Sequence, residues 1–354
     1  MSRTRAMFGI AAAMLAIVGC SRSVAPLPEA PLPSPTPAPP VVLPRDAGPH
    51  DGLTEWWYYT GHLHTSDGHE YGFEFVIFQT RRQNAPSGYL SHFAISDVDA
   101  GRFSHQMRFA QSDAPGAFPL DVNGWRLSSD GETDSIDARM EPGPGADEAY
   151  ALRLTLKDEK PPALHHGGYI EYGAPGGSYY YSRTRLNVSG DLSVGGAPGG
   201  HVDGIAWMDH QWGNFIVTPA GGWDWYSLQL DDRTELMLYV LRSETGEPTG
   251  TYGTQVLADG SVLELSGRDI QPIATGSWPS PHTGAVYPSG WQLTLASGER
   301  LTVEPRLTDQ ELFFPQESRA AGAGAMAYWE GAVNVSGDRS GVGYVELTGY
   351  ARAQ

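Results

Sequence analysis

Two segments decide how this chain is read: SRTRLNVSGDLS at Ser182–Ser193 and WEGAVNVSGDRS at Trp329–Ser340. Both contain Asn-Val-Ser-Gly-Asp, and a tyrosine, Tyr181 or Tyr328, precedes each copy by the same distance. Upstream, EWWYYTGHL (Glu55–Leu63) is answered by WDWYSLQL (Trp223–Leu230), each followed by a tight turn and an apolar run, GFEFVIF or ELMLYVL. The openings lie 168 residues apart and the pentapeptides 147, so the second unit is shorter by 21 residues. Two matches in the same order point to duplication of one unit.

Each unit reads as β. EYGFEFVIFQT alternates about Phe73, Phe75 and Ile77, and YALRLTLKD about Leu152, Leu154 and Leu156. Turns such as Ser66-Asp67-Gly68, Ala258-Asp259-Gly260 and Ala296-Ser297-Gly298 separate the strands, and each unit ends with a strand able to pair back to its opening hairpin. The fold class is therefore all-β, with two tandem antiparallel barrels of roughly eight to ten strands. Residues 49–216 form the first and 217–354 the second. One helix is expected after Thr308, where Thr308-Asp309-Gln310-Glu311 has the form of a capping box.

The first twenty residues carry Arg3 and Arg5, an apolar run from Phe8 to Val18 and the chain's single cysteine, Cys20. That run is too short to span a bilayer, which takes roughly 20 residues. It reads as a lipoprotein signal over residues 1–20, with Cys20 the lipidated residue. Residues 21–48 form a proline-rich tether; ten of the 27 prolines lie between Ser21 and Pro49. The expected location is the bacterial envelope, lipid-anchored at the outer membrane and facing the periplasm. The net charge of −18 repels phosphate backbones, so nucleic acid is not an expected partner.

Chemistry concentrates in WMDHQWG, Trp207–Gly213. On a strand, Trp207, Asp209 and Gln211 share one face, and Met208, His210 and Trp212 the other. A carboxyl pressed against indole favours its neutral form and so serves as a general acid, while indole faces stabilise a developing cation. Glu74 interrupts an apolar strand and must be paired or protonated, Arg183 or Arg185 being the available partners. Glu330 and Glu346 are similar cases in the second unit. His62-Leu63-His64 places two imidazoles on one face, with His210, His92, His165 or His166 as a conceivable third ligand. No spacing signature fixes such a set, so neither metal nor cofactor is expected. The nucleophile motif G-x-S-x-G, H-E-x-x-H and the phosphate-cradling loop are all absent.

Taken with SHFAISD, YYYSRTRL and YWEGAVNVSG, these motifs resemble the AttH and carotenoid 1,2-hydratase family, also labelled predicted secreted hydrolases, over Pro49–Tyr350. The resemblance implies lipocalin-like barrels and, in the hydratase branch, addition of water to an isolated C=C bond. It maps the hydratase His-x-Trp element onto His210 and Trp212. The acid that the hydratase draws from a following strand is missing here, where ELMLYVLR offers only Glu235 at its edge.

Three functions follow as expectations. The first is an envelope lipoprotein binding a hydrophobic small molecule, a lipid or polyene, in an aromatic cavity near the barrel junction, lined by Trp57, Glu74, Trp207, Trp212, Trp223, Trp225 and Tyr239. The second is a hydro-lyase in which Asp209 donates the proton and His210 handles water. The third is an accessory part of an envelope export or lipid-trafficking system.

Overall fold

The computed structural model describes residues 38–81, 86–112, 117–171, 176–214, 221–315 and 326–351. Cys20, the signal and most of the tether lie outside them. Among the described residues no helix is long and apolar enough to cross a membrane.

The first sheet contains β1 (Thr54–Thr65), β2 (Glu70–Thr80), β3 (Ser87–Asp97), β4 (Arg102–Ser112), β5 (Leu120–Val122), β6 (Trp125–Ser129), β7 (Thr133–Met140), β8 (Tyr150–Asp158), β9 (Ala163–Glu171), β10 (Gly177–Val194) and β11 (Gly200–Gly213). Their spatial order is β4-β3-β2-β1-β11-β10-β8-β7-β6-β5, with β9 also on β10. The second sheet contains β12 (Trp223–Leu230), β13 (Glu235–Arg242), β14 (Pro248–Val256), β15 (Val262–Ser266), β16 (Ile270–Ala274), β19 (Trp291–Leu295), β20 (Arg300–Pro305), β21 (Glu311–Phe314), β22 (Met326–Gly337) and β23 (Gly341–Leu347), while β17 (Ser277–Pro279) and β18 (Val286–Pro288) form a ribbon. Its order, β15-β14-β13-β12-β23-β22-β20-β19-β16 with β21 also on β22, reproduces the first strand for strand from β4 to β7. The duplication and the two nearly closed antiparallel barrels are thus borne out. In each, the opening strand pairs with the closing one, β1 with β11 and β12 with β23.

One difference breaks the symmetry. Strand β10 carries a bulge between Arg183 and Leu186, whereas β22 pairs with β23 without a shift. One extra residue reverses every side chain beyond it. Tyr181 therefore joins the interior of barrel 1, while Tyr328 packs in a cluster with Leu312 and Phe314 of barrel 2 and Ala94 of barrel 1. In place across the strands, Ser182 opposes Asp209 as Glu330 opposes Glu346.

The barrel interiors are packed cores. Trp57, Tyr59, Phe73, Phe75, Phe93 and Trp125 are fully buried in one cluster of barrel 1, each contributing about 1.5–3 kcal/mol on burial. Val41 and Leu43, from the end of the tether segment, pack against this cluster, and Trp57 Nε1 donates to Ala47 O at 2.9 Å.

The expected helix after Thr308 is a strand over Glu311–Phe314. Leu312 and Phe313 pair with Tyr328 and Ala327, and the Glu311 carboxylate accepts from Thr283 and Tyr287 instead of reaching back as a cap. Tertiary pairing overrides the local signal.

Candidate functional site

The outer faces of the two barrels meet along β1, β2, β3, β10 and β11 on one side and β12, β13, β22 and β23 on the other. Close approach is built in at Gly72, where an added Cβ would meet Tyr344 Oη at 2.4 Å and Ala332 Cβ at 2.9 Å. Such a dry interface is ordinarily apolar. Here it holds four carboxyls.

Asp209 is one of them. Its Oδ1 accepts from Trp207 Nε1 at 2.7 Å and from Ser182 Oγ, and its Oδ2 from Tyr180 Oη at 2.8 Å. Ser182 also contacts His165 Nε2 at 2.7 Å, and His165 Nδ1 reaches Thr254 Oγ1 of barrel 2 at 2.9 Å. Burial raises the Asp209 carboxyl to about 6, against the pull of its three donors.

Glu74 and Glu330 are held differently. Glu74 Oε1 accepts from Tyr328 Oη at 3.0 Å, and Tyr328 in turn contacts His92 Nδ1 at 2.7 Å. Glu330 Oε2 accepts from Tyr58 Oη. The remaining oxygens, Glu74 Oε2 and Glu330 Oε1, are buried without a hydrogen-bond partner. Burial pushes both carboxyls well above the usual carboxylate range; the charge of Glu346 adds to the rise at each, and that of Glu74 adds to it at Glu330. Both shifts favour the protonated form. Glu346, partly exposed, accepts from Trp223 Nε1 at 2.7 Å and rises to about 7 through desolvation.

Aromatic rings enclose this acid row. Tyr58 and Trp225 lie with centroids 6.5 Å apart, Tyr58 and Phe78 at 6.3 Å, and Trp207 and Trp225 at 6.2 Å. Trp56, Phe78, Trp223 and Tyr239 are only partly buried, so the same strand ends that carry Glu346 reach solvent through aromatic side chains.

The residues named from sequence separate into two groups. Asp209, Trp207, Glu74, Trp223, Trp225 and Tyr239 all face the seam. His210, Trp212 and Trp57 point into barrel 1, as strand alternation requires, with His210 stacked on Trp57 at 4.8 Å. Asp209 and His210 thus sit on opposite faces of β11 and do not meet at one reacting atom. The two expected partners of Glu74 are committed elsewhere: Arg183 to Asp134 and Asp158, Arg185 to Glu235. Glu235 itself is fully buried between Arg185 and Lys160, an ion-paired clamp joining the barrels. His62 Nε2 contacts Gly343 O at 2.9 Å across the seam, whereas His64 is exposed. A cleft of about 240 Å³ opens between β4 and β5, lined by residues including Tyr89, Ala110 and Leu120, none of them among those expected to line a cavity.

Reading the sequence gave no site role to Tyr58, Tyr180, Tyr328 or Ser182, and named His165 only as a conceivable metal ligand, whereas it bridges Ser182 and Thr254. Tyr58 and Tyr328 carried a signal, since each lies on the same strand face as an already suspected residue.

Fold and seam together define a two-barrel, lipocalin-like β protein with a row of buried acids between its barrels. The AttH-like family model matches residues 34–350, and the chain belongs to the AttH-like family. An AttH protein from Nitrosomonas europaea, solved by crystallography, is 31% identical, with a TM-score of 0.78 over 91% of this chain and all of that one. Kievitone hydratase from Nectria haematococca shares the fold at 17% identity, with a TM-score of 0.67 over 88% of this chain and 94% of that one. No curated protein sequence matches the chain significantly.

Proposed function

We propose that the protein is a hydro-lyase-type enzyme that adds water to, or removes it from, a C=C unit of an apolar substrate at the barrel seam. The observation that carries this reading is the Glu74–Glu330 pair, two desolvated carboxyls each keeping one oxygen free of partners. Groups with strongly perturbed pKa values cluster at functional sites. A neutral carboxylic acid protonates an alkene carbon, and the flanking rings of Tyr58, Trp225 and Phe78 stabilise the resulting cation. Water then adds to the cation, and its surplus proton passes to the carboxylate just formed. Because the two like charges resist ionising together, one member of the pair stays protonated while the other accepts. Tyr328 and His92 form a hydrogen-bonded path leading from Glu74.

Asp209, satisfied by three donors, positions Trp207 and Tyr180 in this scheme. A hydrophobic ligand is therefore retained from the sequence reading, but its place is the seam and not the packed barrel interiors. The envelope setting belongs to the same proposal: lipidation at Cys20 would bring the enzyme to a membrane rich in apolar substrates. Radiolabelled palmitate incorporation lost in Cys20→Ala tests it, and a label-free wild type contradicts it.

The test of the chemistry uses apolar extracts, carotenoid and isoprenoid alcohols among them, incubated in ¹⁸O-water and read by mass spectrometry. Wild type incorporates ¹⁸O. Glu74→Gln lowers the rate about 10²–10⁴-fold, the usual worth of a general acid. Undiminished turnover in both Glu74→Gln and Glu330→Gln rejects the assignment.

A further inference from the structure

We infer that His50, Glu55 and His210 form a binding site for a first-row divalent metal ion, zinc foremost, at the end of barrel 1 where the chain enters the fold. The site is separate from the acid seam and uses the opposite face of β11. One ligand atom from each residue, His50 Nδ1, Glu55 Oε1 and His210 Nε2, lies within 4.8 Å of the other two. Both imidazole nitrogens converge on the same carboxylate oxygen, at 2.7 and 2.8 Å. Around a tetrahedral zinc with bonds of about 2.0–2.2 Å, ligand atoms stand roughly 3.3 Å apart. An ion entering here therefore lengthens the two His–Glu contacts by about half an ångström, sets the two imidazole nitrogens, now within 4.8 Å, at the same spacing, and replaces two hydrogen bonds with metal bonds.

The surroundings fit ligands better than a simple polar plug. In metal sites the atom that does not bind the ion is held by an outer partner, which fixes tautomer and direction. His210 and Glu55 show this. His210 Nδ1 contacts Tyr181 Oη at 3.2 Å. Glu55 Oε2 accepts from the backbone of His50 at 2.8 Å and from Gln79 Nε2 at 3.1 Å. Ring stacking fixes the imidazole planes, His50 on Trp212 at 4.1 Å and His210 on Trp57 at 4.8 Å.

Donor chemistry selects the ion. Two imidazoles and one carboxylate suit zinc and its neighbours, whereas calcium and magnesium require oxygen ligands. Three protein ligands leave a fourth position open, the pattern of zinc sites that bind water or a substrate group. Access runs past His50, whose side chain is 21% exposed while those of Glu55 and His210 are fully buried. The pair His62 and His64, the metal candidate of the sequence, lacks this convergence.

The experiment takes the full chain, strips it with a chelator and titrates zinc chloride by calorimetry, with elemental analysis of the dialysed protein. One zinc per chain and a rise in Tm are expected. His50→Ala, a partly exposed position that leaves the core intact, eliminates both, while Tyr181→Phe weakens binding about 10–100-fold, as loss of an outer partner does. Glu74→Gln retains the zinc, which separates this site from the seam chemistry. The proposal is overturned if wild type takes up no more zinc than His50→Ala, or if Glu55→Gln binds it with wild-type affinity.

Discussion

Asp209 and Glu74 are both carboxyls buried in the seam between the barrels, yet they are solvated by protein to different degrees. Asp209 receives three hydrogen bonds over its two oxygens; Glu74 receives one at Oε1 and leaves Oε2 without a partner. Desolvation is the largest influence on each, so the number of compensating donors decides which one keeps its proton. On the proposed reading the better-dressed acid holds structure, and the underdressed one is the proton donor.

The sharpest way to break this comparison is to neutralise each acid in turn. Asp209→Asn leaves Trp207, Ser182 and Tyr180 facing an amide in place of a carboxylate, and should cost about 3 kcal/mol in chemical denaturation. Glu74→Gln replaces a group already neutral at pH 7 and should cost less than about 1 kcal/mol. Equal losses would remove the distinction.

Gly72→Val tests whether close approach of the barrels maintains the desolvation. Its branched side chain would collide with Tyr344 and Ala332, an overpacking worth about 1–3 kcal/mol. Prying the barrels apart also admits water, so the Glu74 and Glu330 carboxyls should move back toward ordinary values.

The alkaline limb of stability gives a smaller effect of defined sign. A carboxyl whose pKa is raised in the folded state stabilises fully below its unfolded value, near 4.5, and loses that contribution as pH rises through the folded value. Stability should therefore fall from about pH 4.5 up to about pH 7 for Glu346 and about pH 8 for Glu74, by at most about 1.4 kcal/mol per unit for each group, and level off above. The double variant Glu74→Gln, Glu330→Gln should flatten this limb. Smallest of all, Trp223→Phe removes the indole donor to Glu346, costing about 1 kcal/mol and raising that carboxyl further, as a pH titration would register.

Much of this arrangement was legible in the residues. The repeated pentapeptide located matching strands, and period-two alternation put Trp207 and Asp209 on one face of β11 and His210 and Trp212 on the other. Glu74, Glu330 and Glu346 stood out because carboxyls in apolar strands need an explanation. Alternation alone does not say that the outer faces of two barrels pack together, so the acids could not be joined into one row, and Arg183 and Arg185 looked like free partners. The β10 bulge has no clear residue signal, although it sends Tyr181 and Tyr328 to different environments. His50 escaped notice because it follows a proline-rich stretch, where nothing in local pattern predicts a return to Glu55 and His210.

The claim on which all of this rests is that Glu74 and Glu330 carry protons at neutral pH. Infrared difference spectroscopy of the folded protein at pH 7 observes the C=O stretch of a protonated carboxyl directly, against a background of ionised surface acids. The account predicts a protonated-carboxyl band that weakens in Glu74→Gln and again in the double variant, and that largely persists in Asp209→Asn. A wild-type spectrum without such a band, or one whose band vanishes only with Asp209, would contradict it.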